Sequence, residues 1–225
     1  MIEAVVMAAG EGRRLRPLTE RYAKPVLPID GRPVIVTLLQ DLRAAGVGRV
    51  TVVIGHLAEQ VERLLDGFPL ELRFVRQPEQ LGSADAVLRA ALEPPYLVLG
   101  ADTQFMPGDV AAFVERAPAY DNAVAVRARP GSLRRDCVKV EAGLVTRFQD
   151  DDPAGALVGA PLWFVGSTAH RHLEKVPGPP YELRDAIERA LAEDFRIGGV
   201  EIGPTRDLTV PSDVMLHNFA YLNAL

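Results

Sequence analysis

Short apolar runs separated by segments of helical spacing set the strongest limit on what this chain can fold into. Residues 3–7 (EAVVM) run straight into Ala8-Ala9-Gly10, the pattern of a buried strand feeding a tight loop. Residues 49–54 (RVTVVI), 70–75 (LELRFV) and 96–99 (YLVL) read as further strands. Between them, 33–45 and 57–66 space their apolar positions as helices do, and Ser83 can cap a helix running through Leu92. Pro33 suits a first helical turn and Gly46 a C-terminal stop. Such alternation predicts an α/β fold with a mostly parallel central sheet and helices on both faces. The style then changes. Residues 122–127, 137–140, 144–148 and 157–165 read as strands with short connections, partly antiparallel, forming a small lobe. Helices return at 168–174 and 182–194, a weak strand occupies 196–202, and 211–223 reads as a closing helix.

With 225 residues the chain is long enough for one domain, taken as 1–225, with a substantial core. A formal charge of −5 gives no bulk attraction to nucleic acid or to acidic membrane, so an anionic ligand needs local positive charge. Cys137 is the sole cysteine, which excludes an intrachain disulfide and fits the reducing cytoplasm. The opening residues do not form a signal peptide, and no apolar run approaches the ~20 residues of a membrane span. The closing helix leaves little sequence beyond it, so a second activity is not expected in this stretch.

Residues 10–32 are rich in Gly, Pro and Arg and long for a structural loop. Directly after the first strand, Gly10 and Gly12 let backbone N–H groups approach phosphate oxygens, and Arg13, Arg14 and Arg16 add fork-shaped donors. A triphosphate is the guest that suits such a loop. An ordinary glycine turn is the plainer alternative, and the segment matches neither the Walker pattern nor GxGxxG. Lys24 could reach a phosphate, or could be a solvated surface lysine; Pro25 after it predicts an extended conformation. Asp102 ends an apolar strand, where ligands bind in parallel α/β sheets. Asp207 follows another short strand. Mg²⁺ takes one or two protein carboxylates together with phosphate oxygens, and this pair suits it. A helix cap at Asp102 and a turn residue at Asp207 are the alternatives. The Gln77 amide can present both a donor and an acceptor to a base edge, and Gly82 can bring backbone close to that base. The histidines lack metal-ligand spacing, and Trp163 reads as core.

The run MAAGEGRRLRPLT…AKPVLPIDGRPVI resembles the N-terminal motif of the sugar-1-phosphate nucleotidylyltransferases, G-x-G-T/S-R-L/M-x-P-L-T…P-K-P. Residues 77–87 (QPEQLGSADAV), 99–102 (LGAD), 181–187 (YELRDAI) and 207–213 (DLTVPSD) resemble later family segments in the expected order, across nearly the whole chain. Arg13 replaces the family's small Thr or Ser, and Ala23 replaces the proline before Lys24.

The resemblance implies a Rossmann-like nucleotidyltransferase fold and in-line attack of a sugar-phosphate oxygen on the α-phosphorus of an NTP. By position it places Ala8, Ala9, Gly10, Gly12, Gln77 and Gly82 at the nucleotide, with Arg14 and Lys24 on the reacting phosphates. It places Asp150 and Gly159 at the sugar and Asp102 and Asp207 on Mg²⁺. Glu201-Ile202-Gly203 offers a competing alignment with the family's D-I/V-G segment. Residue 150 lacks the usual E-K-P neighbours, so a solvated acidic turn remains open there. The base loop is closer to that of uridylyl- and thymidylyltransferases than to that of guanylyltransferases. The implied partners are an NTP, with UTP or dTTP favoured, and a sugar 1-phosphate, with self-association left open. The alternatives are transfer of CMP or GMP to another acceptor, and a nucleotide-sensing subunit without turnover.

Overall fold

The computed structural model describes residues 2–128, 137–149 and 157–219. Strand β1 (Glu3–Ala8) leads into a long connection built of 3-10 turns at Arg13–Leu15, Leu18–Glu20 and Lys24–Val26. It ends in a minimal hairpin, β2 (Pro28–Ile29) and β3 (Arg32–Pro33). Then follow α1 (Val34–Ala44), β4 (Arg49–Ile54), α2 (Ala58–Leu64), β5 (Glu71–Arg76), α3 (Ser83–Ala90) and β6 (Tyr96–Gly100). Next come β7 (Thr103–Gln104), α4 (Asp109–Arg116), β8 (Asn122–Ala128), β9 (Cys137–Glu141), β10 (Leu144–Gln149) and β11 (Leu157–Val165). The last elements are α5 (Ser167–His170), α6 (Leu183–Ala192), β12 (Ile197–Glu201), β13 (Arg206–Asp207) and α7 (Pro211–Asn218).

Among the described residues nine strands form one sheet in the order β5-β4-β1-β6-β11-β8-β12-β10-β9. β5, β4, β1 and β6 pair in parallel, whereas β11 runs antiparallel to both β6 and β8. The expected small lobe is therefore the mixed half of the same sheet, where β8 pairs antiparallel with β11 but parallel with β12. The chain lays β4 and β5 to one side of β1, then returns to place β6 on the other. That reversal opens a crevice beyond the carboxyl ends of β1 and β6, the usual ligand position in open α/β sheets.

Alternation along β1 explains the two layers. Ala4, Val6 and Ala8 face a core completed by α1, α2 and α4, with Leu38, Leu39, Val61 and Phe113 buried in it. Val5 and Ala9 face a second core under α3 and α6, with Val87, Ile187 and Ala190. Both faces of the central strands are buried, so their sequences read as continuous apolar runs. The third cluster is smaller and matters more for the site. Leu15, Leu27, Ile29, Val34 and Leu208 pack together, so the connection after β1 carries a core of its own.

The structure departs from the sequence expectations in four places, the first being the helix expected over 168–174, which is split into α5 and a 3-10 turn at Leu173–Lys175. α4 was not anticipated, although Val110 and Phe113, buried at i and i+3, carry its inward stripe. The 10–32 connection is wound into turns rather than left as open loop. Lys24 opens one of those turns and is not extended, because Val26 N–H and Leu27 N–H bond back to the carbonyls of Ala23 and Lys24 at 3.0 and 3.2 Å.

Candidate active site

β1 and β6 each deliver a loop to the crevice. Gly12 sits at φ 62°, and a Cβ there would lie 3.0 Å from Thr19 Cγ2 and 3.4 Å from Lys24 Cδ, so glycine frees both the turn and the path of the lysine. Ala23 N–H donates to Gln60 Oε1 at 2.8 Å, a bond the family's usual proline could not make. The Gln80 side chain clasps the loop by donating to the Ala9 carbonyl at 2.8 Å and accepting from Glu11 N–H at 3.3 Å.

Beyond β6, Asp102 accepts an ion-paired hydrogen bond from Lys24 Nζ. Two-residue pairing then brings the far end of the chain alongside: Asp207 pairs with Thr103 in the β7–β13 ladder, and Leu208 N–H donates to the Asp102 carbonyl at 3.0 Å. Burial of Leu208 with Leu15 fixes this segment against the turn that carries Arg14. The Asp207 carboxylate accepts from Thr103 Oγ1 at 2.7 Å, from Thr205 Oγ1 at 3.1 Å and from Arg127 Nη2 at 2.7 Å.

Two clefts of about 450 and 400 Å³ meet here, each of a size for one small ligand. The first is lined by Ala8, Ala9, Gly10, Lys24, Gln77, Gly82 and Asp102. The second holds Arg14, Asp102, Gly159 and Asp207, with Arg127, Phe148 and Trp163 as walls. Met7, Ser83, Asp102, Pro161 and Glu182 border both. Gly12 stands just outside, in a groove with Gly10, Arg14 and Lys24. Asp150 lies outside the described residues. Glu201, exposed at the end of β12, lines neither cleft, so of the competing alignments only Asp207 reaches the Asp102 side.

Gln77 and Gly82 of the base loop also make contacts within the protein. The Gln77 amide N–H₂ donates to Asp85 Oδ2 at 2.7 Å and to the Gly82 carbonyl at 3.0 Å. Both partners are acceptors, which fixes the amide orientation and leaves only Oε1 for a base. Burial raises the Asp85 carboxyl, but hydrogen bonds from Arg89 and Gln77 outweigh it, and the net shift is downward. Gly82 lines the first cleft, and its lack of a side chain also has a cause within the protein. At φ 106° its missing Cβ would collide with the Tyr181 carbonyl, so the glycine lets residues 178–182 dock on the base loop. Tyr181 N–H bonds the Leu81 carbonyl at 2.7 Å, Ala84 N–H bonds the Tyr181 carbonyl at 2.8 Å, and Ser83 Oγ donates to Glu182 at 2.5 Å.

Arg127 was not singled out in the sequence, whereas Gln80 and Glu182 stand within the motifs at 77–87 and 181–187 without the contacts they make here. Arg127 had a signal, a lone charge inside the apolar run AVAVRA. Trp163, taken as core, is only half-buried and forms cleft wall.

The carboxylates fit Mg²⁺ by donor chemistry. Two hard oxygen donors share one cleft, and among the described residues no group of three or more His, Cys, Asp or Glu side chains would complete an all-protein cage. Phosphate and water would supply the remaining ligands.

A bifunctional protein GlmU from Methanococcus maripaludis strain C7 is 28% identical over 237 residues, covering 100% of this chain and 55% of that protein. The chain thus spans about half the length of this relative. A CMP-5'-(3-aminopropyl)phosphonate synthase from Streptomyces rubellomurinus is 33% identical over 180 residues, 73% of this chain and 28% of that protein. Among solved structures, a UDP-glucose pyrophosphorylase from Acinetobacter baumannii shares the fold with a TM-score of 0.84 at 20% identity, covering 98% of this chain and 93% of that one. An inositol-1-phosphate CTP transferase from T. maritima does so with 0.82 at 18%, covering 98% and 96%. The model of the MobA-like NTP transferase domain matches residues 4–194, taking in the glycine loop, Lys24, the base loop and Asp102, and to that family the chain belongs.

Proposed function

We propose that this chain transfers a nucleotidyl group from an NTP to a sugar 1-phosphate, yielding an NDP-sugar and pyrophosphate. The observation that carries this reading is the meeting of Asp102 and Asp207 at the junction of two ligand-sized clefts, with Lys24 and Arg14 beside them. The first cleft suits the nucleotide and the second the acceptor. An acceptor phosphate oxygen forms a new bond to the α-phosphorus while the α–β phosphoanhydride bond breaks, and pyrophosphate carries the electron pair away. A phosphate oxygen at neutral pH needs no general base, so positioning and charge neutralisation supply the catalysis. The exposed Arg14 faces the departing phosphates, and Lys24 sets a cation beside the reacting centre. Asp102 and Asp207 would hold Mg²⁺, which when bound supplies further charge neutralisation at the phosphates. Ala8, Ala9, Gly10 and Gly12 line the triphosphate path, and Gly159 keeps the acceptor wall low.

For the base, Gln77 Oε1 can accept from N3–H of uracil or thymine, which supports UTP or dTTP. The occupied N–H₂ favours a second reading equally, because the exocyclic amine of cytosine also donates to a lone acceptor. Pyrophosphate release across a matrix of five nucleotides and several sugar 1-phosphates, with Mg²⁺, tests both levels. No release with any pair sinks the transferase reading. A clear preference for GTP or ATP sinks the pyrimidine assignment alone.

A further inference from the structure

We propose that Arg127 is the anchor for the acceptor's phosphate group, so that the acceptor is selected for a phosphate or phosphonate held by a guanidinium fork. This rests on the transferase reading above. Arg127 belongs to β8, between buried Val126 and the strand's exposed end at Ala128, and is itself only 8% exposed. A buried guanidinium is costly unless its donors are met. It has five N–H donors, and among the described residues it makes one hydrogen bond, from Nη2 to Asp207. Its Nε is buried without a partner among the described residues. Asp207 does not require the arginine for its orientation, since Thr103 and Thr205 already hold both of its oxygens. The protein therefore keeps a buried cation, short of partners, in the wall of the cleft that holds the reacting carboxylates.

The other cations of that cleft are placed differently. Arg14 is exposed on the glycine-loop side. Arg184 lies over the Phe148 ring at 5.6 Å and pairs with Glu188 at 2.6 Å. Arg127 lines the same cleft as the Asp207 carboxylate it bonds and the aromatic side chains of Phe148 and Trp163, whose rings lie 6.3 Å apart. An acceptor whose body rests on these rings, and whose phosphate must reach the α-phosphorus near Asp102, shares the cleft with Arg127. The planar fork suits two phosphate oxygens in a way an ammonium does not, and its bond to Asp207 fixes the plane.

The test uses the intact protein and Arg127→Lys, which keeps charge and most of the length, with Arg127→Met as a second variant. In steady-state assays Arg127→Lys should raise the acceptor KM at least about thirtyfold while the NTP KM stays within about threefold. A direct readout is calorimetric binding of inorganic phosphate with the triphosphate path filled by saturating tripolyphosphate and Mg²⁺. Wild type should bind phosphate and Arg127→Lys should not, with thermal melting confirming that both are folded. Equal phosphate binding by wild type and Arg127→Lys overturns the proposal. Equal rises in both KM values also overturn it, because Arg127 then acts only by holding Asp207. If no nucleotide–acceptor pair releases pyrophosphate, the transferase reading fails on its own, and the phosphate isotherms still decide the anchor.

Discussion

Asp102 and Asp207 differ in the burial of the cations they meet: the Lys24 side chain is 17% exposed and that of Arg127 9%. Asp102→Asn and Asp207→Asn should each lower kcat by at least about a hundredfold at saturating Mg²⁺, the scale of a lost electrostatic contact at a reacting centre. Near-wild-type turnover in either variant removes that residue from the site. Stability separates the two. Asp207→Asn leaves a buried guanidinium without its carboxylate and should cost about 1–3 kcal/mol in urea unfolding, with Asp102→Asn closer to neutral. Gly82→Ala should cost at least as much, since it meets both a left-handed φ and the Tyr181 carbonyl. A Gly82→Ala protein with wild-type midpoint and nucleotide KM would show that residues 178–182 do not need the base loop. At this scale much was legible. Lys24 and Asp102 stand in recognisable runs at a strand's end and in a glycine-rich loop. The use of Gln77 was half legible, because a sequence shows an amide's donors but not that Asp85 and the Gly82 carbonyl already take them.

Elements were read well wherever burial on both faces enforced continuous apolar runs, as in β1, β4 and β6. The pairing of β7 with β13 was not readable, because two-residue strands have no period. That ladder is nevertheless what joins Asp207 to Asp102 across the chain. The turns after β1 were hidden for a related reason: their order comes from Leu15, Leu27 and Ile29 packing with the distant Leu208, not from local pattern. Helix α1 was legible, but the cost it carries was not. Burial pushes the Asp41 carboxyl up to about 6. An unfolded aspartate titrates near ~3.9. Between these values the folded state binds the extra proton, so this group's contribution falls as pH rises from about 4 through about 6. Asp41→Asn should therefore be more stable than wild type at pH 7 by about 1 kcal/mol, with the difference vanishing near pH 4. A constant difference across that range would mean the gain comes from something other than titration.

At the scale of the molecule, the two clefts share a border of Met7, Ser83, Asp102, Pro161 and Glu182, so they form one continuous depression across the two halves of the sheet. One bank is the glycine loop and base loop from the parallel half. The other is Gly159, Trp163 and the start of α6, with β13 delivered from the chain's far end. On the proposed function, a nucleotide bound with metal would touch the first bank and both aspartates, so it should tie the halves together. A ligand that binds only the folded state stabilises it by about 2.7 kcal/mol at a hundredfold excess over Kd. For a domain of this size that corresponds to a rise in Tm of roughly 5–10 °C. The unreactive α,β-methylene analogue of the preferred NTP should give such a rise with Mg²⁺ and a much smaller one with EDTA. Asp102→Asn and Asp207→Asn should lose the Mg²⁺-dependent part while keeping the EDTA value. Sugar 1-phosphate alone should move Tm little, because it meets one bank, and should add to the shift once nucleotide is present. If the analogue stabilises equally with EDTA and with Mg²⁺, the two aspartates do not hold a metal against the phosphates, and their convergence needs another explanation.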